Sequence, residues 1–210
     1  MDVARFEKKP VMGILRGARL EQIEPLIETV ISAGLETLEI TMNTKGAAEL
    51  IQKAGKVAEK RLMLGAGTVL DLDSLKLALD SGATFIVMPV LVRDVLAYCV
   101  KNKIPVFPGA LTPLEIYTAW KEGATMVKVF PAKFFGPEYF REIKGPFTEI
   151  ELLACAGVTP QNLGEYFACG ASAVAFGASV FKKEWLEEKD YQSISGAIKA
   201  YLERLPGRSS

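Results

Sequence analysis

The sequence predicts an α/β fold, a single (β/α)8 TIM barrel with a short N-terminal helix, and three observations carry that prediction. Eight short apolar runs rich in β-branched residues recur along 210 residues, stretches of helical periodicity separate them, and a glycine lies a few residues before each even-numbered run. Strands alternating with helices build a parallel sheet, and eight such units close it into a barrel. At about 25 residues per unit, the chain lies near the lower size limit for this architecture.

The elements follow in order. The first ten residues, MDVARFEKKP, read as a small helix plugging the bottom of the barrel. The strand-like runs are VMGIL (11–15), TLEIT (37–41), LMLGAG (62–67), FIVMP (85–89), VFPGA (106–110), MVKVF (126–130), LLACAG (152–157) and AVAFGA (173–178). Between them, segments such as LEQIEPLIETVISAG and DSLKLALDSG carry apolar residues at helical spacing. Pro25 lies inside the first of these, so that helix either starts late or is kinked. Gly34, Gly82, Gly123 and Gly170 are expected as left-handed C-caps that turn the chain into the next strand. Thr112 to Glu115 form a capping box with Pro113 at the first helical position, and TPQN and GPEY repeat the proline signal. No linker or low-complexity segment interrupts the chain. Residues 1–205 are therefore expected as one domain and PGRSS, 206–210, as a disordered tail.

Composition excludes several function classes. Lysine plus arginine equals aspartate plus glutamate at 25 each, so no charge excess points to nucleic acid or membrane. No apolar run approaches the ~20 residues of a membrane span, and the charged start lacks the apolar core of a signal peptide. Cys99, Cys155 and Cys169 show no metal-ligand spacing, and their odd number argues against a disulfide framework, which fits a reducing, cytoplasmic setting. The chain has no histidine. Ser-His-Asp catalysis, histidine-ligated zinc and a histidine base are thereby removed, leaving carboxylates, lysine, tyrosine and cysteine for acid–base work.

Polar residues gather where the strands end, the rim on which such barrels carry their chemistry. Arg16, Glu39, Thr41, Asn43, Thr68, Thr112, Lys128, Gly157 and Ser179 all fall there. In MVKVF, Lys128 shares a face with Met126 and Phe130 while Val127 and Val129 take the other. A charged amine among such neighbours is costly unless paired, solvated or used. In LEIT, Leu38 and Ile40 are expected to pack outward, which turns Glu39 and Thr41 inward. Taken singly, Glu39 is a barrel-end carboxylate with a structural partner and Lys128 a solvated strand end. Taken together, opposite charges at inward positions form either a structural pair or an active site, where perturbed ionisable groups cluster.

CAGVTP and FGASV, after the seventh and eighth runs, place small residues just before helices. Backbone N–H groups there can reach an anion such as phosphate, or the small residues simply permit tight turns. In GAGTV, two glycines let a ligand approach the backbone, and Thr68 offers a hydroxyl. Arg16 can clamp a carboxylate or phosphate, or serve as an ion-pair partner. Cys155 and Cys169 read as small core residues.

GILRG, LEITMNT, GAGTVL, GATFIVMP, PVFPGALTPLE, VKVFPA, FGPEYFREIKGPF and AGVTPQNL follow one another in an ordered set. Over nearly its full length the chain thereby resembles the bacterial 2-keto-3-deoxy-6-phosphogluconate aldolases, the KDPG/KHG aldolase family. GAGTV alone is a weak signal. The set, with Glu39, Thr68, Lys128 and the GPF turn in register, is highly specific. The resemblance implies a homotrimer of compact barrels, without cofactor or metal. It implies cleavage of a phosphorylated 2-keto-3-deoxy sugar acid to pyruvate and glyceraldehyde 3-phosphate. Lys128 is then the Schiff-base lysine and Glu39 the acid–base group. Arg16, Thr41, Asn43, Thr68, Pro89 and Phe130 match the substrate-binding set, with Thr68 at the pyruvate carboxylate. Ala156, Gly157, Gly177, Ala178 and Ser179 match the phosphate contacts. A free lysine titrates near ~10.4, so apolar neighbours and a nearby cation such as Arg16 are expected to lower the Lys128 pKa.

Four positions depart from the family pattern. Cys155 replaces a substrate-facing threonine, Ala156 a glycine, Met88 a serine or threonine, and Val90 a polar residue. Asn43 is an arginine in some members and an asparagine in galactonate-type relatives. These changes are expected to make the pocket less polar around the aldehyde half while leaving the lysine–glutamate chemistry intact. Both the gluconate and galactonate epimers stay open as substrates, as does a 4-hydroxy-2-oxoglutarate-type acid. So do a phosphate-binding isomerase or epimerase, with Glu39 as base and Lys128 as electrostatic stabiliser, and a non-catalytic relative. No carboxylate cluster on the rim supports a metal-dependent aldolase.

Overall fold

Side-chain alternation along short strands decides what the interior of this molecule contains. The computed structural model describes residues 1–207. Helix α1 (Val3–Lys8) leads into β1 (Val11–Leu15), α2 (Ile23–Ser32), β2 (Thr37–Thr41), α3 (Ala47–Ala58), β3 (Met63–Gly67), α4 (Leu72–Asp80), β4 (Ile86–Val87) and α5 (Arg93–Lys101). The second half contains β5 (Val106–Phe107), β6 (Gly109–Ala110), α6 (Pro113–Lys121), β7 (Val127–Val129), α7 (Gly136–Lys144), β8 (Leu152–Cys155), α8 (Leu163–Ala168), β9 (Ala173–Phe176), α9 (Lys183–Glu188) and α10 (Tyr191–Leu202).

The nine strands run in the order β5-β4-β3-β2-β1-β9-β8-β7-β6, and every paired neighbour is parallel. The two ends of that order, β5 and β6, are halves of the single run VFPGA. Proline has no N–H to give to a ladder, so Pro108 divides the fifth strand. The first half pairs with β4 and the second with β7, and the ring closes through the proline. The expected eight-stranded TIM barrel is thus present with one strand split.

Leu38, Ile40, Val127 and Val129 face the helices in the outer core layer, as the alternation requires. The bore holds Met12, Met63, Phe85, Phe107, Met126 and Leu153, with Phe6 of α1 sealing the bottom. The Phe6 and Phe107 rings meet edge to face at 5.9 Å. Arg5 and Lys9 anchor this plug to Glu36 at the head of β2, with Arg5 Nε 2.6 Å from the carboxylate.

The caps follow the sequence closely. Gly34, Gly82, Gly123 and Gly170 have φ of 92°, 101°, 100° and 97°, the left-handed conformation that a side chain resists. The Thr112–Glu115 box is reciprocal, with Thr112 N–H donating to the Glu115 carboxylate at 2.8 Å. A 3-10 turn at Leu20–Gln22 precedes α2, so that helix starts late. Pro25 then lies in its first turn, where a missing N–H leaves no bond unmade. Thr159 and Asn162 close a turn ahead of α8, which leaves Pro160 outside the helix. Pro206 and Gly207, the start of the expected disordered tail, form a turn, and Arg208, Ser209 and Ser210 lie outside the described residues. Among the described residues no helix is long and apolar enough to cross a membrane.

Candidate active site

The register of β2, β3 and β7 builds the site. Glu39 stands beside Ile14 on one neighbour and Gly65 on the other, and Lys128 stands between Gly109 and Leu153. Both side chains point into the upper bore, 1% and 7% exposed, with Lys128 Nζ 3.9 Å from Glu39 Oε1. The second carboxylate oxygen, Oε2, is buried without a hydrogen-bond partner. A structural ion pair in such a setting has short, complete hydrogen bonding, because desolvation otherwise exceeds the attraction. A loose pair with an orphaned oxygen is the arrangement of a reactive site.

Glycines make room for it. A Cβ on Gly67 would lie 2.5 Å from both Cδ and Oε1 of Glu39, and one on Gly65 would lie 2.5 Å from the Phe85 ring. The glycines of GAGTV therefore serve the carboxylate and the floor beneath it, where the sequence suggested close approach by a ligand. Gly109 answers a different demand: a Cβ there would lie 2.1 Å from the Pro89 carbonyl oxygen.

Burial is the strongest influence on both charges. It pushes the Glu39 carboxyl above its ordinary value, against the pull of Lys128 and then Arg16. On the Lys128 amine burial acts downward, as does Arg16, but the Cys155 and Glu39 anions outweigh them and the net direction is upward. This corrects the lowering expected from the sequence: both lowering influences are present and are overridden by the anions beside the amine. The Cys155 share belongs to its thiolate, and burial pushes that thiol up. A carboxyl with raised proton affinity thus sits beside an ammonium, and a proton passed between them frees the amine.

The remaining rim residues differ in what holds them. Arg16 Nη2 donates to Thr68 Oγ1 at 3.3 Å, and both lie at the mouth above the pair. Thr68 itself has φ of 56°, a left-handed backbone that directs its hydroxyl from the end of β3. Lys128 Nζ lies 5.5 Å from the centre of the Phe130 ring. Thr41 is committed elsewhere: its hydroxyl meets Thr44 Oγ1 at 3.0 Å, and Thr44 accepts from Gly17 N–H at 3.1 Å, tying the loops after β1 and β2 together. Thr44 had no motif to announce it. Asn43 is exposed beyond this tie, and Pro89 is half-buried with its carbonyl against β6.

Of the four departures, only some reach the pocket. Cys155 lines the bore beside Lys128. Met88 is fully buried in the outer layer against the helices, so the expectation that it makes the pocket less polar does not hold. Val90 is exposed on the loop after β4. Ala156 and Gly157 follow β8 with φ of 70° and 90°. Gly157 is doubly constrained, since a Cβ would lie 2.3 Å from Lys133 Cβ. After β9, Gly177 C=O accepts from Val180 and Phe181 N–H at 2.9 and 2.8 Å, a tight turn that carries Ala178 and Ser179 at its exposed front. A cavity of about 520 Å³ opens beside this rim, lined by Ile14, Arg16, Gly177, Ala178, Phe181 and Lys183 among others. Among the described residues no group of three or more acidic or cysteine side chains is placed to hold a metal.

Comparison with known proteins points the same way. The family model for KDPG and KHG aldolase matches residues 3–197. The 2-dehydro-3-deoxy-6-phosphogalactonate aldolase of Escherichia coli (strain K12) is 30% identical over 93% of this chain and 96% of its own. The 2-dehydro-3-deoxy-phosphogluconate aldolase of Pseudomonas aeruginosa is 31% identical over 93% of this chain and 87% of its own. A native KDPGal structure superposes with a TM-score of 0.87 at 27% identity, covering 93% of each chain. The Legionella pneumophila KDPG aldolase, with pyruvate captured as a covalent carbinolamine, superposes at 0.85 and 25% identity over 91% of this chain and 93% of its own. A parallel barrel with a buried lysine–carboxylate pair at its mouth, matched along almost its whole length, leaves one assignment: the chain belongs to the KDPG and KHG aldolase family and is an aldolase, a carbon–carbon lyase.

Proposed function

We propose that this enzyme is a class I aldolase cleaving a 2-keto-3-deoxy-6-phospho sugar acid, of gluconate or galactonate type, to pyruvate and glyceraldehyde 3-phosphate. The observation that carries this reading is the buried Lys128–Glu39 pair with its unpartnered carboxylate oxygen. Lys128 gives its proton to Glu39 and attacks the C2 ketone, forming a carbinolamine. Glu39 returns the proton to the departing hydroxyl, water leaves, and the nitrogen becomes an iminium. Glu39 then takes the C4 hydroxyl proton. The C3–C4 bond breaks, its electrons pass to the iminium as an enamine, and the aldehyde leaves. Protonation of the enamine at C3 and hydrolysis return the amine and pyruvate.

Arg16 and Thr68, joined at the mouth, are suited to the pyruvate carboxylate. In this reading Thr41, Asn43, Pro89 and Phe130 complete the substrate-binding set, and Ala156, Gly157, Gly177, Ala178 and Ser179 receive the phosphate. Relatives acting on each epimer match at nearly equal identity. The choice between gluconate and galactonate therefore falls to a panel of both epimers assayed side by side. Residues 1–205 act as one domain in this reading. In this reading the working form is a cytoplasmic homotrimer; large apolar side chains left exposed around the mouth, Val90, Leu114, Phe134 and Phe135, favour association between copies. Sedimentation of the purified protein tests that assembly.

Reduction with borohydride in the presence of pyruvate is the direct test. A covalent adduct on Lys128 is expected, and Lys128→Ala should lose adduct and turnover together. Turnover that survives in Lys128→Ala, or an adduct on another lysine, overturns the assignment.

A further inference from the structure

We propose that Tyr201 is a positioning residue for phosphate recognition. From the C-terminal helix its phenol fixes the spacing between the loops after β8 and β9. The inference rests on the reading above that these two loops hold the substrate's phosphate.

Tyr201 lies in the last turn of α10, 2% exposed, with its ring 4.5 Å from that of Phe176 at the end of β9. Its hydroxyl has one proton to give and donates it to the Val158 carbonyl at 2.7 Å. The contact with Ser179 Oγ at 3.0 Å must then run the other way, with the serine donating to the phenol oxygen. Burial raises the phenol's pKa, so it remains a donor through the working range. One oxygen atom thus bonds to the loop that follows Ala156–Gly157 and to the loop that follows Gly177–Ala178.

This arrangement also decides how the loops can hold an anion. The Ser179 hydroxyl proton is committed to Tyr201, so the serine side chain is not free to donate to a phosphate oxygen. What remains on that side is backbone. Gly177 C=O collects the N–H groups of Val180 and Phe181, which leaves those of Ala178 and Ser179 leading the turn without a partner inside it. On the other side, Gly157 is wedged against Lys133 and its carbonyl accepts from Asn162 Nδ2 at 3.0 Å. Backbone amides cannot reach by changing rotamer, so the distance between the two loops sets the fit. The phenol is the side chain that spans it.

Tyr201→Phe keeps the ring and removes the bridging oxygen. In condensation of pyruvate with aldehyde, KM for glyceraldehyde 3-phosphate is expected to rise about tenfold, the size of one to two lost hydrogen bonds. Inhibition by inorganic phosphate should weaken by the same factor. The borohydride adduct of pyruvate on Lys128, kcat, and kcat/KM for unphosphorylated glyceraldehyde should stay at parental levels. Ser179→Ala should have little further effect in the Tyr201→Phe background, because both remove one linkage. Equal losses with both aldehydes, unchanged phosphate inhibition, or additive effects of the two substitutions would each overturn the inference. A parent enzyme that does not prefer the phosphorylated aldehyde would instead overturn the phosphate reading itself.

Discussion

Two glycines of β3, two residues apart on one face, look onto opposite contents of the same bore. Gly65 makes room for the Phe85 ring and Gly67 for the Glu39 carboxyl, each at 2.5 Å from where a Cβ would stand. Below, Phe6, Phe85, Phe107 and Met126 fill the barrel. Each such side chain contributes about 1.5–3 kcal/mol by leaving water. Above, equivalent inward positions hold Glu39 and Lys128, and a buried oxygen without a hydrogen bond costs about 1–3 kcal/mol. One strand geometry therefore supports stability at one end and reactivity at the other. Which it does depends on the inward side chains and on the glycines that seat them.

Substitutions at the two ends should separate accordingly, and the largest effect is expected at the mouth. Glu39→Gln should lower turnover by about 10²- to 10⁴-fold without unfolding the protein. A parental rate would assign proton transfer to another group. The same variant has a pH signature. The folded Glu39 carboxyl binds its proton more tightly than the unfolded one, so its stabilising contribution is complete below its ordinary value of 4.5. That contribution is lost as pH rises through the raised folded value. Urea midpoints measured across this range should decline in the parent and flatten in Glu39→Gln.

At the floor, Phe6→Ala should cost about 3–5 kcal/mol in urea unfolding while the pyruvate adduct still forms on the folded protein. Loss of the adduct before unfolding would show that the two ends are not separable. The glycine pair sharpens the contrast on a single strand. Gly65→Ala should destabilise by about 1–3 kcal/mol through overpacking with kcat little changed, whereas Gly67→Ala should lower kcat more than stability. The reverse order would reject the division of the bore. The smallest effect is a gain. Ala156 holds φ of 70°, which costs an alanine about 1–2 kcal/mol and a glycine little. After the backbone entropy that glycine adds to the unfolded chain, Ala156→Gly should stabilise by about 1 kcal/mol or less, read as a higher thermal midpoint.

Much of this was legible in the sequence, because period-two alternation and left-handed glycines are local signals. They place Glu39 and Lys128 inward, Leu38 and Val127 outward, and four glycines at helix ends. The same alternation, carried from Phe85 through Val87, turns Met88 outward to its burial among the helices. Pro108 splits the fifth run, which was expected as one strand. The direction of the Lys128 pKa was not legible. It depends on how near Glu39 and Cys155 stand to the amine, and strands far apart in the chain set those distances. Tyr201 carried no signal either, since its two partners lie on loops joined to it only by folding.

The proline in the fifth strand has a further consequence. Every residue of β2 has a partner in β3, whereas β6 is two residues long and pairs with β7 at Lys128 and Val129. Lys128 N–H donates to the carbonyl of Pro108 itself, at 2.8 Å. The reactive lysine thus lies beside a two-residue seam of the ring, and amide exchange should report its backbone opening earlier than that of β2.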